Sequence, residues 1–331
     1  MKSVKEWLNG LPACGKPFPI LSFPCVSLLG VTVDELTHSA DLQAKGMKAV
    51  ADRLDTAASV SMMDLSVEAE AFGCTIQTSE NEVPTVLGAL LGDEDEADAL
   101  EVPEVGAART GIYLEAAAKA KKLITDRPVF AGMIGPFSLC GRLMEVTEAL
   151  CNCIADPDFV HAVMKKTTAF LTNYAKAYKE AGVDGIVLAE PLSGLLSPEL
   201  EAEFSAPYVK ELISAVQDDD FVVIYHNCGP NTPLMTESLY ANGAAAYHFG
   251  DAVKLKDLLD RMPADKPVCG NISPTDQFLK GTPDSMTEAV ENLLAECGGY
   301  PNFVLSSGCD IPPAAPWTQI DAFMAAGNKQ K

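Results

Sequence analysis

An apolar run in the second half of the chain ends in side chains that can ligate a metal. The segment "VVIYHNCGPNTP" (222–233) is rich in β-branched and aromatic residues up to His226 and is broken by Gly229-Pro230. This pattern is typical of a buried strand followed by a turn. Side chains two residues apart on an extended chain point to the same side. His226 and Cys228 are therefore predicted to direct a nitrogen and a sulfur to one point.

A third candidate ligand follows the last predicted strand, because "NFVLSSG" (302–308) runs directly into Cys309. If the strands form a barrel, their carboxyl ends meet at one mouth, where the βα loops carry active sites. Two thiolates and one imidazole, with the fourth position open, are typical of catalytic zinc sites. We therefore predict that His226, Cys228 and Cys309 bind zinc. The alternative is that each of these residues only packs in the core.

The other histidines and one cysteine pair are weaker candidates. Cys151 and Cys153 fall in a predicted helix, where residues two apart do not face each other, so both are interpreted as buried thiols. His161 lies within a predicted helix and His38 near the start of one, and neither has a predicted partner. His248 ends a predicted strand, where it either lines the mouth or is a hydrogen-bonded core histidine.

Short apolar runs alternate with longer amphipathic segments along the whole chain. The predicted strands are 18–23, 58–64, 128–135, 184–190, 221–227, 244–249, 267–273 and 302–308. Strands that alternate with helices indicate parallel pairing. Eight such units fit a single-domain (β/α)₈ TIM-type barrel over residues 1–331, with a doubly wound open sheet as the alternative. The acidic run within 85–106 is interpreted as a solvated loop excursion from this domain.

Composition excludes several classes of partner. The chain of 331 residues has 24 Lys and Arg against 46 Asp and Glu, a net charge of −22. Without a basic patch, neither nucleic acid nor an anionic membrane is an expected partner. No apolar run reaches the roughly 18 residues that a membrane span needs, and Gly and Pro interrupt the N-terminal segment. The ten cysteines are expected to be reduced, and we predict a cytoplasmic protein.

Five segments resemble, in order, the uroporphyrinogen decarboxylase superfamily. They are "SMMDLSVEAEAFG" (61–73), "GPFSLCG" (135–141), "HNCG" (226–229), "GNISP" (270–274) and "LSSGCDIPPAAP" (305–316). The chain is more similar to the cobamide-dependent branch, the methylcobamide:coenzyme M methyltransferases. The His-x-Cys…Cys zinc signature of that branch falls here on His226, Cys228 and Cys309. The resemblance implies zinc-dependent transfer of a methyl group from a methylated corrinoid to a small thiol.

The chain departs from the decarboxylase itself at two motifs. The segment 18–30 contains no Arg, whereas decarboxylases carry there an Arg-rich motif that holds the carboxylates of their substrate. The decarboxylase sequence Gly-His-Gly-Ile is replaced by residues 308–311, with a thiol in place of the histidine. Three alternatives nevertheless stay open. They are a porphyrinogen decarboxylase without metal, a corrinoid-dependent demethylase of a methoxylated or methylated substrate, and a non-catalytic barrel that binds a corrinoid carrier.

Four further side chains are predicted at the mouth. Glu190 is the candidate fourth zinc ligand or the acceptor for the His226 N–H, with a helix-capping or salt-bridged glutamate as the alternative. Asp64 matches the pyrrole-binding aspartate of the decarboxylase, and it joins Glu190 as a catalytic candidate. Asn271 and Arg142 are assigned to binding, with Arg142 facing an anionic group such as a sulfonate or carboxylate.

The corrinoid is not predicted to be a resident cofactor of this chain. An Asp-x-His-x-x-Gly cobalamin signature is missing from the sequence. Methylcobamide is therefore expected to arrive on a separate small corrinoid protein that docks over the mouth. The net charge of −22 predicts a basic patch on that partner.

Overall fold

The computed structural model describes residues 3–328 and contains a curled parallel sheet surrounded by helices. The strands are β1 (Ser59–Val60), β2 (Thr75–Gln77), β3 (Thr85–Leu87), β4 (Val129–Ile134), β5 (Gly185–Ala189), β6 (Val222–Asn227), β7 (Ala246–Phe249), β8 (Val268–Ile272) and β9 (Phe303–Ser307). The main sheet has the order β1-β4-β5-β6-β7-β8-β9, and all its pairs are parallel. The α/β class and seven of the eight predicted strands are confirmed, although β1 is shorter than expected.

The first of the eight predicted strands does not form, because Pro19 within it has no N–H to donate to a ladder. The segment nevertheless lies between the two edge strands. The Phe18 N–H donates to the Leu305 carbonyl of β9 at 2.8 Å, and the Pro17 carbonyl accepts from the Ala57 N–H, just before β1, at 2.9 Å. The chain near its start therefore contacts both edges of the sheet.

Helices cover the outside of the sheet. They are α1 (Val4–Gly10), α2 (Cys25–Leu29), α3 (Val33–Thr37), α4 (Ala40–Arg53), α5 (Val67–Ala71), α6 (Glu94–Ala99), α7 (Thr110–Leu123), α8 (Pro136–Met144), α9 (Val146–Ala155), α10 (Pro157–Glu180), α11 (Pro198–Phe204), α12 (Ala206–Val216), α13 (Thr236–Ala241), α14 (Leu255–Leu259), α15 (Pro283–Cys297) and α16 (Trp317–Gly327). Asp156 and Ser197 cap α10 and α11, each followed by Pro at the first helical position. Within residues 3–328, no helix combines the length and hydropathy needed to cross a membrane.

The acidic excursion has more structure than a solvated loop. Strand β3 pairs antiparallel with β2, and α6 begins where the Asp93 carboxylate accepts the Glu96 N–H at 2.9 Å. Leu91 and Ala97 are buried. The prediction of a solvated excursion at 85–106 did not include this strand and helix, although most of the segment is exposed, and two apolar side chains fix the acidic helix to the body. The assignment of residues 1–331 to one domain stays a prediction, and residues 1–2 and 329–331 lie outside the described part.

Both faces of the sheet are buried, as parallel sheets require. Alternate residues of β6 separate into two clusters: Ile224 packs inside the curled sheet with Phe18, whereas Val223 and Tyr225 pack against the helices. Trp7 of α1 packs beside Phe18, with ring centroids 6.4 Å apart. Apolar side chains therefore fill the interior of the sheet around Phe18.

Candidate metal centre

Three predicted ligands converge at the carboxyl ends of β6 and β9. His226 is the penultimate residue of β6, Cys228 follows that strand directly, and Cys309 lies two residues beyond β9. Their ligand atoms all lie within 4.8 Å of one another. The Cys309 Sγ is 3.5 Å from the His226 Nε2. The structure thus brings these side chains together across 83 residues of sequence, while zinc binding itself stays a prediction.

The electrostatics of the cluster favour ionisation of one thiol. A hydrogen bond from the Cys309 thiol lowers the pKa of Cys228 far below 9.0 despite its burial. The same Cys228 contact, together with burial, raises the pKa of Cys309. Two sulfurs and one imidazole nitrogen form a soft donor set, which fits Zn²⁺ rather than a hard cation. The three residues are those that would hold the metal.

Glu190 does not complete this cluster. Its carboxylate accepts the N–H groups of Phe137 (2.6 Å) and Ser138 (2.8 Å) in the first turn of α8. Burial raises its pKa to about 7, although these hydrogen bonds oppose the shift. The structure therefore supports the helix-capping alternative. The proposed contact with the His226 N–H is wrong, because the His226 Nδ1 lies 2.8 Å from the Nδ1 of His248 instead.

Asp64 belongs to a buried charge network rather than to the metal cluster. Its carboxylate accepts from Arg109 (2.5 Å), the Tyr113 hydroxyl (2.8 Å) and the Ser66 hydroxyl (2.6 Å). Arg109 also donates to Glu70 at 2.6 Å. The Asp64 side chain is 0% exposed. Its oxygens are occupied by internal donors, so the geometry favours an anchoring role over the predicted catalytic one. Sequence reasoning missed Arg109 because no local motif links it to a partner 45 residues away.

Asn271 supports the backbone behind one of the cysteines. Its Nδ2 donates to the carbonyls of Gly250 (2.8 Å) and Val253 (2.9 Å), in the turn that follows β7. That turn passes so close to Cys228 that a Cβ on Gly250 would lie 2.3 Å from the Cys228 Cβ. The amide group predicted to bind a cofactor is therefore engaged in holding the Cys228 loop.

The close approach at Gly250 gives a direct test of this packing. A Gly250→Ala substitution must move the Cys228 backbone, and overpacking of this kind costs about 1–3 kcal/mol. We expect the variant to remain folded and to bind zinc at least about tenfold more weakly, since one misplaced ligand distorts the tetrahedral set. Zinc affinity is measured by competition with a chromophoric chelator.

Gly299→Ala is the matched control, because a Cβ at that position would meet nothing within 4 Å. Its zinc affinity should equal that of the wild type. Equal affinities for both glycine variants and the wild type would contradict the assignment of Cys228 as a ligand held by this packing.

Arg142 lines a cavity whose wall includes the residue after Cys309. The cavity has a volume of about 350 Å³, and Met63, Ser66 and Asp310, the residue after Cys309, also line it. Within residues 3–328, no hydrogen bond or ion pair joins the Arg142 guanidinium to another residue, although the Asp64 carboxylate attracts it from a longer distance. Burial lowers its pKa, yet a guanidinium stays charged in proteins. An unpaired, partly buried cation in a cavity can bind an anionic ligand.

The weaker candidates lie elsewhere in the structure. Cys153 is buried as expected, whereas Cys151 is exposed on the outer face of α9, which corrects that prediction. His161 has a partner that was not predicted, because its Nδ1 is 2.8 Å from the Tyr208 hydroxyl. His38 contacts its own helical turn, through the Asp34 carbonyl at 2.8 Å.

The fold and the cluster together define a class: TIM-like α/β proteins with a candidate metal centre at the carboxyl ends of their strands. Comparison with known proteins narrows that class. The profile of the uroporphyrinogen decarboxylase (URO-D) family matches residues 25–330, and the chain belongs to this family.

Methanogen proteins are among its relatives. The chain is 26% identical over 272 residues to the methylcobamide:CoM methyltransferase MtbA of Methanosarcina acetivorans, covering 81% of this chain and 78% of that protein. It is 27% identical over 261 residues to MtbA of Methanosarcina mazei, covering 76% and 74%. A solved methyltransferase from Methanosarcina mazei matches with a TM-score of 0.86 and 24% identity over 99% of both chains, which establishes the shared fold.

Proposed function

We propose that this protein is a zinc-dependent methyltransferase that moves a methyl group from a methylated corrinoid to a small anionic thiol. The observation that carries the proposal is the convergence of His226, Cys228 and Cys309 within 4.8 Å at the strand ends. The relatives named as methylcobamide:CoM methyltransferases support it. We also infer that the sheet closes as a (β/α)₈-type barrel, with the segment around Phe18 in the place of the eighth strand.

The residues of the cluster suit activation of a thiol. Two thiolates and a neutral imidazole balance the charge of Zn²⁺, and zinc in such a set supplies an open position at which a substrate thiol ionises at neutral pH. Cys228 already favours the thiolate form through its hydrogen bond from Cys309. Cys228 therefore needs little proton release before the metal binds, whereas Cys309, whose pKa is raised, must lose its proton on binding.

The net reaction transfers the methyl group as a cation equivalent. A sulfur–carbon bond forms, the cobalt–carbon bond breaks, and its electron pair stays on the cobalt, while the thiol proton leaves to solvent. The methylcobamide would be carried by a separate small corrinoid protein that docks over the strand ends. We infer a cytoplasmic location, because the ten cysteines in the structure are all free and the ligand thiols must stay reduced.

Arg142 is the residue we assign to the anionic end of the thiol. Its guanidinium faces a cavity that begins one residue from Cys309. By contrast, Arg109, the neighbouring buried cation, is already neutralised by Asp64 and Glu70. A sulfonate or carboxylate in the cavity would therefore find its partner in Arg142.

Arg142→Leu should raise the KM for 2-mercaptoethanesulfonate by about 10- to 100-fold, since a hydrogen bond to a charged group contributes roughly 1.5–3 kcal/mol. The kcat and the KM for the uncharged 2-mercaptoethanol should change little. Both are measured by steady-state thioether formation. Arg53→Leu is the control, because Arg53 pairs with Asp321 at the surface. An equal rise in KM for the charged and the uncharged thiol would contradict a role of Arg142 in binding the anionic end of the substrate.

The activity is tested by incubating the anaerobic purified protein with methylcobalamin and 2-mercaptoethanesulfonate or homocysteine. We expect methyl thioether and cob(I)alamin in equal amounts, loss of activity with a zinc chelator, and recovery on adding zinc. Consumption of uroporphyrinogen without thioether would favour the decarboxylase. Methylation of cob(I)alamin by a methoxylated aromatic compound or a methylamine would favour the demethylase. Bound zinc without methyl transfer to any thiol would favour a non-catalytic carrier-binding barrel.

A further inference from the structure

A chain of hydrogen bonds connects the metal cluster to the backbone near the start of the protein. The His226 Nδ1 lies 2.8 Å from the His248 Nδ1, and the His248 Nε2 lies 2.7 Å from the Ser306 Oγ. The Ser306 hydroxyl donates to the Phe18 carbonyl at 2.5 Å. His226, His248 and Ser306 are all buried, so water does not compete for these contacts.

The Phe18 carbonyl, which is the last acceptor, fixes the direction of every hydrogen bond in this series. A carbonyl oxygen can only accept, so the Ser306 proton is committed to Phe18. The Ser306 oxygen must then accept from the His248 Nε2–H. The buried His248 ring contacts no carboxylate within residues 3–328, so its imidazole is neutral, because an unpaired buried charge is costly. Its Nδ1 is consequently a lone pair that accepts from the His226 Nδ1–H.

These hydrogen bonds determine which nitrogen of His226 is free to bind a metal. With its proton on Nδ1, a neutral His226 has its lone pair on Nε2. This is the nitrogen that lies 3.5 Å from the Cys309 Sγ, on the side of the cluster. The other tautomer would direct an N–H, instead of a lone pair, at the metal position.

We infer that His248 is a positioning residue that fixes the tautomer and ring orientation of His226, with Ser306 and the Phe18 carbonyl fixing His248 in turn. The inference rests on the proposed zinc site. Metal-bound histidines usually donate their second N–H to a carboxylate, a carbonyl or water. Here the acceptor is an uncharged imidazole, so it orients His226 without adding negative charge to the two cysteine ligands.

The tautomers are read first in the zinc-free native protein. Histidine-labelled protein gives a simple nitrogen NMR spectrum because the chain has only 4 histidines. Long-range proton–nitrogen correlations distinguish the protonated ring nitrogen from the unprotonated one. We expect His226 to be protonated on Nδ1 and His248 on Nε2. An unprotonated Nδ1 on His226 would overturn the inference, whether or not any variant folds.

Zinc affinity is the second readout. His248→Leu removes the acceptor, and loss of such a partner typically weakens metal binding by about 10- to 100-fold. In His248→Asn the Oδ1 can occupy the position of the lost Nδ1, so affinity should return to within about threefold of the wild type. His161→Leu is the matched control, because His161 of α10 contacts Tyr208 of α12 and does not belong to the cluster, and its affinity should be unchanged.

The two proposals fail in different ways. A native protein that binds no zinc, but has His226 protonated on Nδ1, would contradict the proposed function and leave the hydrogen-bond chain supported. Zinc binding that is unchanged in a folded His248→Leu variant would contradict the positioning role and leave the zinc site supported.

Discussion

Replacing Cys309 with serine is expected to remove zinc from the protein and to reduce thioether formation to the uncatalysed rate. Cys309 supplies one of the two sulfurs of the cluster, and its hydrogen bond is the main reason that the pKa of Cys228 is low. A serine hydroxyl is neither a soft ligand nor readily ionised at neutral pH. The substitution therefore removes a ligand and also the group that favours the second thiolate.

Zinc content by plasma emission spectrometry is the measurement. The wild type should contain about one zinc per chain and the variant below about a tenth of that, because three protein ligands are the usual minimum for a catalytic site. Cys151→Ser is the control, since Cys151 is an exposed cysteine outside the cluster, and it should keep full zinc and activity. Circular dichroism excludes unfolding. Full zinc retained by Cys309→Ser would refute the ligand assignment.

Replacing Arg109 with methionine is expected to cause the largest loss of stability. Its guanidinium is 4% exposed and pairs with Asp64, which is 0% exposed, and with Glu70. Removal of one partner leaves a buried carboxylate without its counterion, which typically costs 3–5 kcal/mol. Chemical denaturation should show this loss as a lower midpoint with an unchanged slope.

Two further variants test whether the unpaired buried charge causes this loss of stability. Lys5→Met breaks a surface pair with Asp219, whose side chains are 58% and 70% exposed, and it should cost at most about 1 kcal/mol. Arg109→Met combined with Asp64→Asn removes both charges, and it should be more stable than Arg109→Met alone. An Arg109→Met variant as stable as the wild type would mean that the buried ion-pair network contributes nothing to the free energy of unfolding.

The sequence predicted the metal cluster because residues that can ligate a metal stand at the ends of apolar strand patterns. His226 and Cys228 follow an apolar run whose period of two residues directs them to one side, and Cys309 follows another such run. Parallel strands bring their carboxyl ends to one edge, so two local patterns predicted one cluster of three ligands. The same reasoning predicted the α/β class and eight strands, of which seven form.

The sequence was less informative where long-range hydrogen bonding decides. Glu190 stands at a strand end as a ligand would, yet the free N–H groups of α8 compete for its carboxylate. Asp64 is engaged by Arg109, which no spacing rule connects to it. The position of His248 held a usable signal, because His226 and His248 are the penultimate residues of adjacent strands, but only their 2.8 Å contact distinguishes a partner from a core histidine.

Proline content explains the missing strand. Pro19 leaves the segment near Phe18 without a full set of donors, so periodicity alone overpredicted a strand there. The segment nevertheless donates a hydrogen bond to the Leu305 carbonyl and accepts one from the Ala57 N–H. An eighth strand would make these same contacts with its two neighbours.

The contact between the first segment and the last strand bears on how the protein is made. Ile20 and Ser307 meet across 287 residues, and Cys309 joins His226 across 83. On the ribosome, the segment around Phe18 and the donors His226 and Cys228 emerge before β9 and Cys309 exist. Contacts of such long range form late because their loop-closure entropy must be overcome first. Zinc uptake would then be a post-translational event, and metal content would measure the fraction of newly made chains that have finished folding.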